Sequence, residues 1–434
     1  MFSIKKYYNV HFDLKKILNN TSLIFLFILP IAYIFSPPII NLAVFVIIVN
    51  YIYTLIIDKN KSLFSDKLFI ILFIFWIYIS TQSLFLENAN FYKSLSFLRF
   101  IILPYAICNL LQLNYNKIFK LNLFYFLILA FVIMDIFLQY LIGVDILGYR
   151  VELINGFNEP SDNWKELQIQ RFSGPFGDEI RAGTFILFFG IISIFLYSNF
   201  NKKNKLFLQN ILFLILIVSI IITGDRAPLV TFFLTFFIYI LFSKFQIKNY
   251  LSIFIASIII FTLFLSFSKT SNFRYIENAK MLMKADNEVN FEVNYKTQIV
   301  KALKDNPWSA HYLTAYEIFK SSIFFGKGVK SFRVECKKYP NIDSSYYHSR
   351  CSTHPHNIFM EVISETGLIG LFLLCTALAI YVNRYLKNSI SSNNIAFFFL
   401  LAMLLPIKPS GALFSTWFGT LIWILMGFSM LKKR

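Results

Sequence analysis

The sequence predicts an all-α, polytopic membrane protein with about twelve transmembrane helices and one large, partly helical loop on the outer side. Two observations carry that prediction: apolar residues arrive in long uncharged blocks, and basic residues gather in short clusters between them. Hydrophobic residues make up 57% of the 434 positions and Phe alone accounts for 53, with a mean hydropathy of +0.61. An ordinary soluble domain carries roughly 45 to 50% apolar residues. Blocks such as 68–80 and 251–267 contain no charged residue. In lipid each such segment must satisfy its own backbone hydrogen bonds, so an apolar block of spanning length is expected to be a helix.

Twelve blocks are expected to span, at 20–36, 38–57, 66–85, 97–113, 118–142, 181–198, 206–222, 228–243, 249–267, 356–382, 393–408 and 411–430. The Ser36-Pro37-Pro38 and Pro409-Ser410-Gly411 turns force two tight hairpins, because proline cannot continue a helix and glycine permits the reversal. The chain therefore divides into a membrane part at 1–267 with nine spans, a loop at 268–355, and a membrane part at 356–434 with three. The first block has full spanning length and no small-residue cleavage site, so it is expected to remain as a helix and not to act as a signal peptide.

The formal charge of +18 is compatible with nucleic acid or with an anionic membrane surface. Position favours the membrane. The clusters are Lys5, Lys6, Lys15 and Lys16; Lys59, Lys61 and Lys67; Lys117 and Lys120; Lys202, Lys203 and Lys205; Lys244 and Lys248; Arg384 and Lys387; and Lys432, Lys433 and Arg434. They fall on alternate loops, the positive-inside pattern, which predicts that both termini are cytoplasmic and that nucleic acid is not a partner.

The loops expected outside are 86–96, 143–180, 223–227, 268–355 and the turn at Pro409. Within the longest, 294–304 and 312–322 have helical apolar spacing and are separated by Asn306-Pro307, a helix breaker. Gly326-Lys327-Gly328 is expected to end the second helix. Cys108 and Cys375 fall inside spans. Cys336 and Cys351 share the outward loop, where an oxidising compartment would let them close a disulfide worth about 3 kcal/mol; the alternative is two unpaired thiols. Neither pair-spacing of cysteines nor of histidines suits zinc, so no metal is expected.

The segment from Cys351 to Gly370 is the most informative. Pro355 suits a first helical position, which would put His356 and Asn357 in the first turn of the tenth span at its outer end. The positive end of the helix dipole disfavours imidazolium, and a neutral ring can take a proton from a hydroxyl. Gly367 and Gly370 lie three apart, where a second helix could approach.

His356-Asn357, nine residues, then Gly367-x-x-Gly370 resembles the H-[NSQ]-x9-G-x-x-[GTY] signature of the O-antigen ligase and polymerase family. Gly326-Lys327-Gly328 through Phe332 resembles the G-x-G-x-x-x-F segment that precedes it. The resemblance implies a glycosyltransferase of the bacterial inner membrane with a periplasmic active site and no cofactor, neither nucleotide nor metal. Its donor would be an undecaprenyl-diphosphate-linked glycan and its acceptor a hydroxyl of lipid A core or of another glycan. A polymerase or a protein-glycosylating transferase of the same family is the alternative, and a flippase is the non-enzymatic one.

By that resemblance His356 is the base and Arg226, in a segment like the family's R-x3-L motif, is catalytic on the diphosphate. The motif match is imperfect, since Val230 stands where leucine is expected. Arg171 and Arg181 bracket a segment like the family's Arg and Gly-rich stretch and are expected, with Asn357, to bind substrate. His311 stands where relatives often carry a further arginine, with Arg333 nearby as a substitute. Arginine suits diphosphate because its planar fork stays charged and binds two oxygens; the alternative for each arginine, and the favoured one for Arg99, is an interfacial anchor. His354 is expected to cap the helix rather than to assist His356. Asp135 and Gln139 line a cavity or pair with Arg99, the pair being preferred, while Glu361 and Glu365 either serve the histidine or a sugar hydroxyl or lie on a solvated face.

Overall fold

The computed structural model describes residues 2–154, 171–179, 181–200, 205–242, 247–277, 307–342, 344, 347–392, 394–406 and 408–431. The protein is all-α, and among the described residues the only extended pairing is an isolated bridge between Val144 and Arg150. In chain order the main helices are α1 Phe2–Phe35, α2 Pro37–Ile57, α3 Lys67–Phe85, α4 Leu98–Leu113, α5 Ile118–Ile142, α6 Ala182–Phe200, α7 Lys205–Thr223, α8 Arg226–Phe242 and α9 Ile247–Phe267. There follow α10 Pro307–Lys320, α11 Ile358–Ser392, α12 Ile395–Leu404 and α13 Thr416–Ser429. Twelve of these are apolar and correspond to the twelve expected spans; six are long and apolar enough to cross a membrane and six are shorter. The multi-pass membrane architecture follows.

Local chemistry explains the boundaries. Pro37 and Pro38 open α2, and Gly143 closes α5 in the left-handed region. Asp66 caps α3 by accepting from the Leu68 and Phe69 amides. The expected helix at 312–322 is α10, which starts at Pro307, the favoured first position, and ends before Gly326. The expected helix at 294–304 lies outside the described residues, as do Lys202, Lys203, Lys244, Lys432, Lys433 and Arg434.

Aromatic rings fill the interior. Phe189 of α6 meets Tyr33 of α1, Tyr125 of α5 and Phe185 at centroid distances of 5.7, 5.5 and 4.7 Å. Edge-on aromatic contacts of this kind add about 0.5 to 1.5 kcal/mol beyond area burial, which gives packing specificity where lipid is as apolar as the core. The α13 helix packs on α4, α12 on α8, and α10 lies across α11.

The loops gather at two ends. At one end Lys15 pairs with Asp58 at 2.6 Å, Arg384 pairs with Asp66, and Lys117 reaches Asn20 at 3.4 Å. At the other, Asn90 N donates to Val329 O, Phe172 N to Thr223 O and Ser410 N to His356 O, at 2.8, 3.2 and 2.7 Å. The loops expected to face outward are thus bonded to one another.

Several local expectations are corrected. The last span starts at Thr416, and the described residues among 405–415 form an irregular crossing, because Pro406 and Pro409 interrupt the helix. Asp135 does not pair with Arg99. Its Oδ1 accepts from the Ile146 amide, while Gln139 accepts from Gly174 N and donates to Tyr149 O; both therefore hold loop backbone. Arg99 instead donates to Thr416 Oγ1 at 3.3 Å and lies over the Phe100 ring. Gly370 meets Tyr78 of α3, so a helix does approach there, whereas Gly367 serves another purpose. Gly367 has φ 65°, a kink within α11, and a Cβ there would strike the Phe324 carbonyl and the Gly326 amide. What approaches Gly367 is the Gly326–Gly328 loop, whose amides at Lys327 and Gly328 donate to Ser364 O and Glu365 O.

Candidate functional site

The loops at the second of the two ends surround an open cavity of about 1160 Å³. It is lined by His354 and His356, by Arg171, Arg181 and Arg226, and by Arg274, Lys330, Arg333 and Lys408. Of the sequence-predicted site residues the structure therefore brings together His356, Arg226, Arg171, Arg181 and Arg333.

His356 precedes α11 and is not in its first turn. The helix starts at Ile358, and His356 itself has φ 55°, the left-handed region that a non-glycine residue rarely adopts. Neighbouring bonds hold it there. Its carbonyl accepts from Ser410 N at 2.7 Å, and Ile358 N, two residues on, donates to Ser410 Oγ at 3.0 Å. The helix cap is Asn357 and not His354: Asn357 Oδ1 accepts from Phe359 N and Met360 N at 3.0 and 3.2 Å. The same side chain donates to Pro406 O at 2.7 Å and Lys408 O at 3.4 Å. Asn357 thus ties the 405–415 crossing to α11 and does not line the cavity.

Around His356 the rings of His354, Trp308 and His311 lie 4.2, 4.9 and 5.0 Å away. Trp308 and His311 come from the first turns of α10. His311 is buried, its Nδ1 3.3 Å from Arg350 O, and it flanks His356 without lining the cavity. Burial first, then the neighbouring His354 and His311, hold the His356 ring down to about 3, from an ordinary 6.5; burial and Lys330 hold His354 down to about 4. The neutral ring is the expected form, and burial and the other imidazoles favour it. Among the described residues no group of His, Cys, Asp and Glu is arranged to hold a metal ion.

Arg226 opens α8, and its Nε and Nη2 both donate to Arg274 O, at 3.2 and 2.6 Å. Arg274 Nε donates back to Gly224 O at 2.9 Å. Arg171 is an electrostatic neighbour of both. Asp225, buried beneath, accepts from Gly183 N at 2.9 Å; burial raises its pKa while Arg171 and Arg274 oppose the rise. Three guanidiniums thus lie together near the buried Asp225, donors of the planar kind that suits an anion of diphosphate type. Arg181 is engaged otherwise, with Glu179 at 2.9 Å and over the Trp417 ring.

Glu361 and Glu365 are fully buried, which excludes the solvated face. Glu361 pairs with Lys330 Nζ at 3.1 Å and accepts from Leu413 N at 2.6 Å. Glu365 accepts from Lys330 N at 2.7 Å. The two carboxylates fasten the segment after Gly328 and the 405–415 crossing to α11. Nearby, Cys336 and Cys351 are joined by a disulfide with Cα atoms 5.4 Å apart.

Arg274, Lys330 and Lys408 were not singled out by sequence reasoning. Arg274 was one of fourteen basic residues in a long loop, with nothing to distinguish it. Lys330 sits inside the Gly326–Phe332 segment, and Lys408 is a lone cation at the end of an apolar block, a feature that ordinarily marks function in a membrane segment.

Residues 211–375 match the family model described as O-antigen ligase. Over these residues the chain is similar to the O-antigen ligase family. The matched segment contains Arg226, Arg274, Lys330, Arg333 and His356, whereas Arg171, Arg181 and Lys408 lie outside it and meet it across the cavity. A search of curated proteins finds no match to the chain. The match supports a glycan transferase of ligase or polymerase type, the class of enzyme that takes a lipid-linked glycan and a glycan acceptor.

Proposed function

We propose that the protein transfers a glycan from undecaprenyl diphosphate to a sugar hydroxyl of lipid A core, at the periplasmic face of the bacterial inner membrane. The observation that carries this reading is the shared cavity of His356 and the Arg171, Arg226 and Arg274 group. The acceptor hydroxyl gives its proton to the neutral His356 ring as its oxygen bonds to the anomeric carbon. The bond from that carbon to the diphosphate oxygen breaks, and the diphosphate keeps the electron pair. The guanidiniums stabilise that charge as it develops. A bound diphosphate also raises the basicity of His356, because a nearby anion favours imidazolium. His311 beside His356, with Arg333 at the cavity, takes the part of the arginine found in many relatives.

The test is the glycan profile of a strain whose only copy carries Arg226→Ala. The reading predicts unmodified lipid A core and accumulated lipid-linked polymer. Core bearing single repeats would identify a polymerase instead, and an unchanged profile would remove Arg226 from the mechanism.

A further inference from the structure

The α10 helix begins at the cavity and ends among membrane helices. Trp308 and His311 of its first turns lie beside His356. Past its last residue, Lys320, the chain turns through Ile323, Phe324 and Phe325, whose side chains are 44, 62 and 58% exposed. A run of three exposed apolar side chains in a loop is unfavourable in water and marks a contact with an apolar partner.

The α3 helix measures how deep that turn lies. No charge falls between Lys67 and Glu87, and the 19 residues of α3 rise about 28 Å, close to the thickness of the hydrocarbon layer. Its Lys67 end adjoins the Asp66 and Arg384 pair, so Phe85 marks the outer end. Tyr78 lies about 10 Å inside that end, and its hydroxyl donates to Phe325 O and Thr366 O at 3.2 and 2.7 Å. Gln82, one turn higher, donates to Phe325 O and Glu365 O. The turn is therefore below the outer end of α3, not above it.

Irregular backbone at such depth is tolerated only where protein satisfies its polar groups. Here the kink at Gly367 interrupts the α11 ladder, and the amides just past it, Leu368 N and Ile369 N, donate to Ile323 O and Phe324 O at 2.9 and 3.2 Å. All three carbonyls of the turn are thus answered while its three side chains stay exposed. Leu84 and Phe85 of α3 and Leu368 and Phe372 of α11 are exposed as well, so the apolar surface of the turn continues that of two membrane spans.

We infer that Ile323, Phe324 and Phe325 form a wedge seated in the acyl chains of the outer leaflet. The bilayer then supports the far end of the helix whose near end flanks His356.

The experiment uses the full-length protein in proteoliposomes, with Cys108→Ala/Cys375→Ala removing the free thiols and the Cys336–Cys351 disulfide kept. Single nitroxide labels are attached through Phe324→Cys and Phe325→Cys, with Phe372→Cys as the lipid-facing reference and Glu317→Cys as the water-facing one. Ile323→Cys replaces either wedge variant that melts early. The ratio of collisions with oxygen, which concentrates in lipid, to collisions with a water-soluble nickel chelate is expected to match that at 372 and to exceed that at 317 several-fold. A ratio equal to that at 317 would put the turn in water and overturn the inference. Shielding from both reagents would mean that protein, such as a second copy of the chain, covers the wedge, and overturns it equally. Neither result bears on glycan transfer, which the labels do not read.

Discussion

The carbonyl of His356 accepts a hydrogen bond from the amide of Ser410 at 2.7 Å, so the proposed base is positioned by a crossing segment more than fifty residues away in sequence. The Asn357 side chain reinforces the tie through Pro406 O and Lys408 O while it caps α11. Asn357→Ala removes both functions. Loss of a cap costs about 1 kcal/mol, a modest fall in melting temperature. The displaced histidine should lower kcat further, by about tenfold to a hundredfold. Asn357→Asp keeps the cap but not the donors, so it should retain stability and lose activity. A variant pair in which activity tracks stability alone would deny the positioning role.

The Lys330 and Glu361 pair makes a second prediction. Both side chains are buried, at 8% and 0% exposure, so removal of one partner strands a charge. Lys330→Met should destabilise by about 3 to 5 kcal/mol, visible as a lower melting temperature in detergent. Lys330→Met/Glu361→Gln should recover most of the loss, since a neutral amide still accepts from Leu413 N. No recovery would mean that the pair is not the source of the effect.

Lys408 is buried, lines the cavity, and forms no ion pair among the described residues. A buried cation without a carboxylate costs folding energy and is retained where an anion uses it. Lys408→Met is expected to raise the melting temperature and weaken substrate affinity together. Isothermal binding of pyrophosphate and a thermal melt check the two halves.

The histidine cluster sets a pH dependence. His354 and His356 have folded pKa values of about 4 and 3, below the ordinary 6.5. Between those values the unfolded chain binds more protons than the folded one, so stability rises with pH across that window. Their contribution is complete above about 6.5 and is lost as pH falls toward 3. Melting temperature should therefore drop from pH 7 to pH 4.5, and His354→Gln/His356→Gln should flatten the slope.

The membrane architecture was legible because lipid imposes a strong rule: an apolar block of spanning length has one solution, and charge alternation orders the loops. The position of His356 was harder to read. Pro355 made a helix start plausible, but the actual start at Ile358 depends on Ser410 and on the 405–415 crossing, partners remote in sequence. The burial of Glu361 and Glu365 was invisible for the same reason, since it arises from Lys330 and Leu413. Gly367 looked like a helix-packing residue, whereas its left-handed backbone and the Gly326 loop against it are tertiary facts. Arg226 and Arg171 could be proposed singly, yet their meeting with Arg274 required the fold.

The central claim is that His356 takes the acceptor proton at a cavity whose arginines hold the donor diphosphate. Its most direct test is single-turnover transfer with purified full-length protein, lipid-linked donor and saturating acceptor, comparing His356→Ala with wild type. Loss of the chemical step by at least about a hundredfold, with donor binding retained, is the predicted result. A His356→Ala protein that still transfers glycan at the wild-type rate would contradict the account.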